Sequence, residues 1–146
     1  MQKIKYSVVG TSWITNSFIE GAKTVEGLQL DGVYSRSEEK GKSFCEKVGA
    51  KRVFKSIEEV ADSDTDFVYV ASPNSCHYEQ CKFLLENKKS VLCEKPITIT
   101  SEEFSKLFFL ILLPCLNVVS LDIPLLIHII LKNLLCPLLI FVVVLQ

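Results

Sequence analysis

Apolar and polar positions follow two rhythms along this chain, and they exchange places at regular intervals from Lys3 to Lys106. Lys3–Val9 is apolar and β-branched and stops at Gly10, which predicts a buried strand followed by a turn. Ser12–Val25 carries apolar residues at Trp13, Ile14, Phe18, Ala22 and Val25, the spacing of one helix face. Leu28–Tyr34 is a second strand. Glu38–Val48 is an amphipathic helix, weakened by Gly41 and stopped by Gly49. Lys51–Phe54 is a short third strand. Ser56 and Glu59 have the spacing of a capping box, with Ser56 bonding the Glu59 N–H and the Glu59 side chain reaching back. Asp66–Ser72 is apolar on both faces, as a central parallel strand should be. Pro73 and Asn74 form a loop, and Ser75–Asn87 is a helix with Tyr78, Cys81, Leu84 and Leu85 inward. Ser90–Cys93 is a fifth strand ending at Glu94-Lys95-Pro96, and Ser101 starts another helix.

Strands alternating with helices over short connections predict an α/β fold, a doubly wound parallel sheet with helices on both faces. Ligands of such sheets bind at the carboxyl ends of the strands. Gly10, Ser35, Ser72-Pro73-Asn74 and Glu94-Lys95-Pro96 all fall at those ends, on one rim.

Composition changes this picture at one place. Of sixteen Lys and Arg and seventeen Asp and Glu, only Asp122 and Lys132 lie beyond Lys106. The chain therefore divides into a folded unit, 1–106, and an apolar tail, 107–146. A membrane span needs about 20 apolar residues, and the uncharged run Leu107–Leu121 is shorter and contains Pro114. One central Asp costs about 2.5–3.5 kcal/mol in a bilayer and each Leu or Ile returns about 0.3–0.6, so insertion across Asp122 is physically allowed. The favoured reading is that the tail is not an evolved part of the fold, since a frameshift, an unspliced segment or a gene-model error produces such a sudden loss of charge. Ser101–Leu113 could still complete a helix over the sheet and Leu116–Leu121 an edge strand. The remainder would expose apolar surface that invites aggregation or membrane contact.

The net charge of -1 excludes a large basic surface for nucleic acid. The start, MQKIKYSVVG, lacks the apolar stretch of a secretory signal. The six cysteines have neither C-x-x-C pairing nor zinc-ligand spacing, so no metal site is expected, and they read as reduced thiols of a cytoplasmic protein.

Candidate chemistry lies on the rim. A dinucleotide turn has the form G-x-G-x-x-G/A directly after the first strand. Gly10 fits the first position, while Ser12 and Thr15 replace the second and third glycines. The helix that follows offers unpaired N–H groups to a phosphate, and Ser12 could add a hydroxyl donor. At the end of the second strand an NAD-selective site carries an acid for the ribose 2′-OH. Here stand Ser35 and Arg36, a hydroxyl and a guanidinium suited to a 2′-phosphate, so NADP(H) is favoured over NAD(H). Asp31 has roughly the right distance from Gly10 for the ribose acid but sits inside the strand. Lys95, between Glu94 and Pro96, could orient a nicotinamide or a substrate oxygen, or be a solvated charge. His77 could face the nicotinamide or cap the helix beginning at Ser75.

Together, Gly10-Thr-Ser-Trp-Ile-Thr15, Tyr34-Ser-Arg-Ser37, Ala71-Ser-Pro-Asn-Ser-Cys-His-Tyr-Glu79 and Glu94-Lys95-Pro96 resemble the Gfo/Idh/MocA oxidoreductases over about Lys3 to Lys106. The resemblance implies a Rossmann-type NAD(P)-binding domain. By it, Gly10, Ser12, Trp13 and Ile14 line the pyrophosphate and nicotinamide side, and Ser35 and Arg36 take the adenosine ribose. Ser72, Pro73, Asn74 and His77 border the cofactor's middle. Glu94 and Lys95 lie by the nicotinamide, Lys95 as the catalytic-site lysine. Family members carry a second, α+β domain that supplies the pocket for a sugar or polyol-like substrate. The expectation for this chain is therefore cofactor binding with little or no turnover. The alternative is a non-catalytic dinucleotide-binding or regulatory protein tethered to a membrane by its tail.

Overall fold

The structure, a computed structural model, describes residues 3–115 and 142–144. Its elements follow in the order β1 (Ile4–Val9), α1 (Trp13–Lys23), β2 (Leu28–Tyr34), α2 (Glu38–Val48), β3 (Arg52–Phe54), α3 (Ile57–Asp62), β4 (Phe67–Val70), α4 (Asn74–Glu86), β5 (Ser90–Cys93), α5 (Ser101–Cys115) and β6 (Val142–Val144). The described strands form one sheet in the order β3-β2-β1-β4-β5-β6. The first five are mutually parallel, and β6 pairs antiparallel with β5. The chain winds outward from β1 to β3, crosses back to β4 and winds the other way. A crevice therefore opens beyond the carboxyl ends of β1 and β4.

Strand alternation makes two cores from one sheet. Tyr6, Val8, Val33, Phe67, Tyr69 and Leu92 face one side and pack with Phe18, Ile19 and Ala22 of α1 and Phe44, Cys45 and Val48 of α2. Val9, Val68, Val70, Val91 and Cys93 face the other, where Val60 of α3, Cys81, Leu84 and Leu85 of α4 and Leu107 of α5 cover them. This is the expected doubly wound α/β arrangement. α5 runs through Lys106 and Leu107, and Leu107 is buried in the second core.

Local departures from the sequence reading have identifiable causes. Glu59 reaches one residue further back than expected and accepts from the Lys55 N–H at 2.7 Å, while Ser56 caps α3 as anticipated. Gly41 has a packing role in α2. It is buried, and a Cβ there would stand 3.2 Å from Val53 Cγ1, so its lack of a side chain lets α2 lie close on β3. α4 begins at Asn74 rather than Ser75. It buries His77 along with Cys81, Leu84 and Leu85, and leaves Tyr78 only half-buried. The edge of the sheet beside β5 is taken by β6. The strand expected at Leu116–Leu121, and most of the apolar run on which the membrane and non-native readings rest, lie outside the described residues. Among the described residues, no helix is long and apolar enough to cross a membrane.

Candidate functional site

At the carboxyl rim the loops after β1, β2, β4 and β5 enclose a cleft of about 540 Å³. Its floor begins with Gly10. The Gly10 φ is +110°, and a Cβ built there would lie 2.5 Å from the Ala71 carbonyl oxygen, so only glycine lets the β1 turn pass under the β4 loop. Ser12 has a φ of -81° and caps α1, its side chain accepting from the Thr15 N–H. Its hydroxyl also lies 3.2 Å from that of Thr15, which is fully buried. The second motif position thus needs no left-handed backbone here, and serine serves as the helix cap. The start of α1, with Thr11, Ser12 and Ile14 on the cleft wall, directs its first N–H groups and partial positive charge at the crevice.

The β2 end contributes Ser35 and Arg36, and the first turn of α2 adds Lys40. Ser37 caps α2 by accepting from the Lys40 N–H, which turns that first helical turn back toward the cleft. No ion pair among the described residues involves Arg36 or Lys40; the neighbouring Glu38 is matched with Lys42 instead. Asp31 is not at the rim. It is buried in β2 and accepts from Arg52 Nε at 2.8 Å, and Arg52 also reaches Asp64, so it belongs to an ion-pair network rather than to a ribose site.

On the other side of the crevice, Ser72, Pro73 and Asn74 form the wall before α4. The Ser72 hydroxyl donates to Gln80 Oε1 at 2.5 Å, tying the loop to its own helix. His77 neither caps α4 nor offers a free nitrogen to the cleft. It is 1% exposed, with Nδ1 2.8 Å from the Pro96 carbonyl oxygen and Nε2 2.7 Å from that of Ser72. Glu94 is buried at the cleft floor, where its Oε1 accepts from the Tyr69 hydroxyl at 2.5 Å. Burial, and then the Glu94 carboxylate, push the Tyr69 phenol far above its ordinary range, so it keeps its proton and stays a donor. Lys95 is exposed on the rim, and the Lys95–Pro96 peptide is cis.

The structure thus brings all but one of the expected residues to the cleft: Gly10, Ser12 and Ile14, then Ser35 and Arg36, then Ser72, Pro73, Asn74 and His77, then Glu94 and Lys95. Trp13 is the exception. Its side chain is 77% exposed and is absent from the lining, because the first turn of α1 faces it outward. Thr11, Lys40 and Gln80 were not anticipated. Lys40 was findable, since it stands four residues after Arg36 and so one turn along a helix that starts at the rim.

The donors fit a dinucleotide. A helix N-terminus with two hydroxyl residues suits a pyrophosphate, two cations and a serine stand at the β2 end, and the only carboxylate lining the cleft among the described residues, Glu94, lies at the far end.

Comparison with known proteins agrees with that geometry. The sequence model of the family described as "Oxidoreductase family, NAD-binding Rossmann fold" matches residues 4–111. The scyllo-inositol 2-dehydrogenase (NADP(+)) of Bacillus subtilis is 44% identical over 101 residues, covering 68% of this chain and 31% of that protein. A crystal structure of an NAD-binding protein from Listeria innocua superposes with a TM-score of 0.68 at 29% identity, over 75% of this chain and 32% of that one. The fold is also that of GenD2 from gentamicin A biosynthesis, solved in complex with NAD, with a TM-score of 0.70, 24% identity, and 75% and 32% of the two chains covered. The chain therefore spans about a third of the length of these relatives.

Proposed function

From the premise that the chain belongs to the Gfo/Idh/MocA oxidoreductase family, we propose that the rim cleft binds NADP(H) in preference to NAD(H) and that Lys95 serves the chemistry at the nicotinamide. The observation that carries the reading is the β2 end, where Arg36 and Lys40 stand together with no ion-pair partner among the described residues and no described carboxylate lines the cleft beside them. A 2′-phosphate there gains two charge-assisted contacts, whereas a 2′-OH finds no acid among the described lining residues to accept from it. With the adenosine at β2 and the pyrophosphate at α1, the strand order carries the nicotinamide toward β5, where Glu94 and Lys95 stand. When bound, the cofactor supplies or accepts the hydride. The chain's own residues hold its phosphates, and Lys95 is the cation placed to orient a substrate oxygen.

The substrate class is a polyol or sugar, a reading supported by the relative named for scyllo-inositol. Hydride transfer also requires the substrate carbon held against the nicotinamide, and the described residues supply the cofactor's side of that encounter. These 146 residues by themselves therefore bind the cofactor with little or no turnover. A cytoplasmic place of action goes with this reading.

The test is a titration of the full chain with NADPH and with NADH, followed by quenching of Trp13, its single tryptophan. NADPH should bind at least about tenfold more tightly, and Arg36→Ala should remove most of that preference, the loss expected for one hydrogen bond to a charged group. Equal or tighter binding of NADH sinks the cofactor assignment. Substrate-dependent NADPH formation by the same chain on polyols sinks the low-turnover reading.

A further inference from the structure

His77 lies on the floor of the cleft between two loops that belong to different strands, and both of its nitrogens face the backbone of those loops. Nε2 meets the carbonyl of Ser72, at the end of β4, and Nδ1 that of Pro96, just beyond β5. A carbonyl oxygen only accepts, so each contact is a hydrogen bond whenever the facing nitrogen carries hydrogen. We propose that His77 is a positioning residue, a cross-strap that holds the Glu94–Pro96 loop against the Ser72–Asn74 loop and thereby sets where Lys95 stands over the nicotinamide end of the cleft.

Three further observations support a dedicated strap. Both neighbouring side chains are themselves tethered: Ser72 donates to Gln80 one turn further along α4, and Glu94 accepts from Tyr69, whose ring stacks on Phe18 with centroids 3.9 Å apart. The loop after Lys95 is gripped again at Ile97, which is buried in the second core. Only Lys95 and Pro96 between these anchors are exposed, and the Pro96 carbonyl is the point at which His77 takes hold of that stretch. His77 itself is too enclosed to touch a substrate, so it acts through the loop it holds. The proposal rests on the cofactor reading for its functional consequence, because it is the nicotinamide end, not the adenosine end, that the strap governs.

The two contacts can be separated by amide side chains. An Asn nitrogen occupies roughly the place of Nδ1 and a Gln nitrogen that of Nε2. In the full chain, His77→Asn keeps the Pro96 contact and His77→Gln keeps only the Ser72 contact. His77→Leu should weaken NADPH about tenfold while changing adenosine 2′,5′-bisphosphate, which fills only the adenosine end, less than about twofold. His77→Asn should recover most of the NADPH affinity and His77→Gln little of it. Equal losses for both ligands in His77→Leu, or Asn and Gln variants that behave alike, overturn the strap.

Hydrogen exchange on the unliganded chain gives a readout that needs no cofactor. Protection at residues 94–99 should fall in His77→Leu and His77→Gln but not in His77→Asn, with β1 and β2 unchanged; unaltered protection at 94–99 overturns the proposal. If the wild type binds no NADPH, the cofactor reading fails while the exchange pattern still decides the strap. If no variant folds, nitrogen-15 spectra of the wild-type imidazole decide instead, and two ring nitrogens that exchange like those of an exposed histidine overturn it.

Discussion

Gly10 joins chain geometry and the floor of the cleft in a single residue. Its φ of +110° and the 2.5 Å approach of the Ala71 carbonyl to any Cβ leave no space for another residue. Gly10→Ala should strain the turn by about 1–3 kcal/mol and push the β1 and β4 loops apart. NADPH affinity should then drop at least tenfold in a titration, with the circular dichroism of the sheet preserved; unchanged affinity would contradict the packing described for the turn. The buried tyrosines make a second residue-scale prediction. Burial raises Tyr6 and Tyr69 well above the ordinary value of 10.0. Below about pH 10 both states hold these protons and the contribution is complete. Above it the unfolded chain releases protons that the folded one keeps, so stability falls by about 1.4 kcal/mol per pH unit for each tyrosine. Urea midpoints at pH 9 and pH 11 measure the slope, and Tyr69→Phe should flatten it; a slope unaffected by that change would mean that Tyr69 ionises in the folded protein.

Elements were legible in the sequence where period and punctuation agreed. β2, α2 and β5 have the predicted bounds because their patterns are uninterrupted and their ends are marked by Ser37, Gly49 or a proline-bearing loop. α4 shows what period alone misses. His77 and Tyr78 are neighbours near the edge of the buried face, and apolarity favoured Tyr78, but the carbonyls of Ser72, just before α4, and of Pro96, beyond β5, give the buried His77 N–H an acceptor. Asp31 is a similar case. Its distance from Gly10 suggested a ribose ligand, yet it is the residue by which β2 bulges against β1, and Arg52 of β3 reaches it. Arg52→Met should leave the buried Asp31 carboxylate without its guanidinium and cost about 1–3 kcal/mol. Asp64→Asn, at an exposed partner, should cost less than about 1 kcal/mol. Urea denaturation of the two variants compares them directly, and equal losses would show that the pair with Asp31 has no special weight.

At the scale of the whole molecule, the order of strands does what no single motif can. It sets the β2 end, the α1 start and the β5 end in a line, so that cations, helix dipole and the Glu94–Lys95 loop lie along one extended cleft. The sequence by itself determined the alternation of strand and helix, the doubly wound class and the identity of most rim residues. Those features are written in local period, in turn residues and in the rule that parallel sheets bind at their carboxyl ends. Only the tertiary structure decided that Trp13 faces outward, that Asp31 is spent on Arg52 and that both nitrogens of His77 face backbone carbonyls. The physical reason is common to all three. A side chain's direction and partners depend on segments distant along the chain, and the local pattern carries no record of which carbonyl or cation those segments bring near.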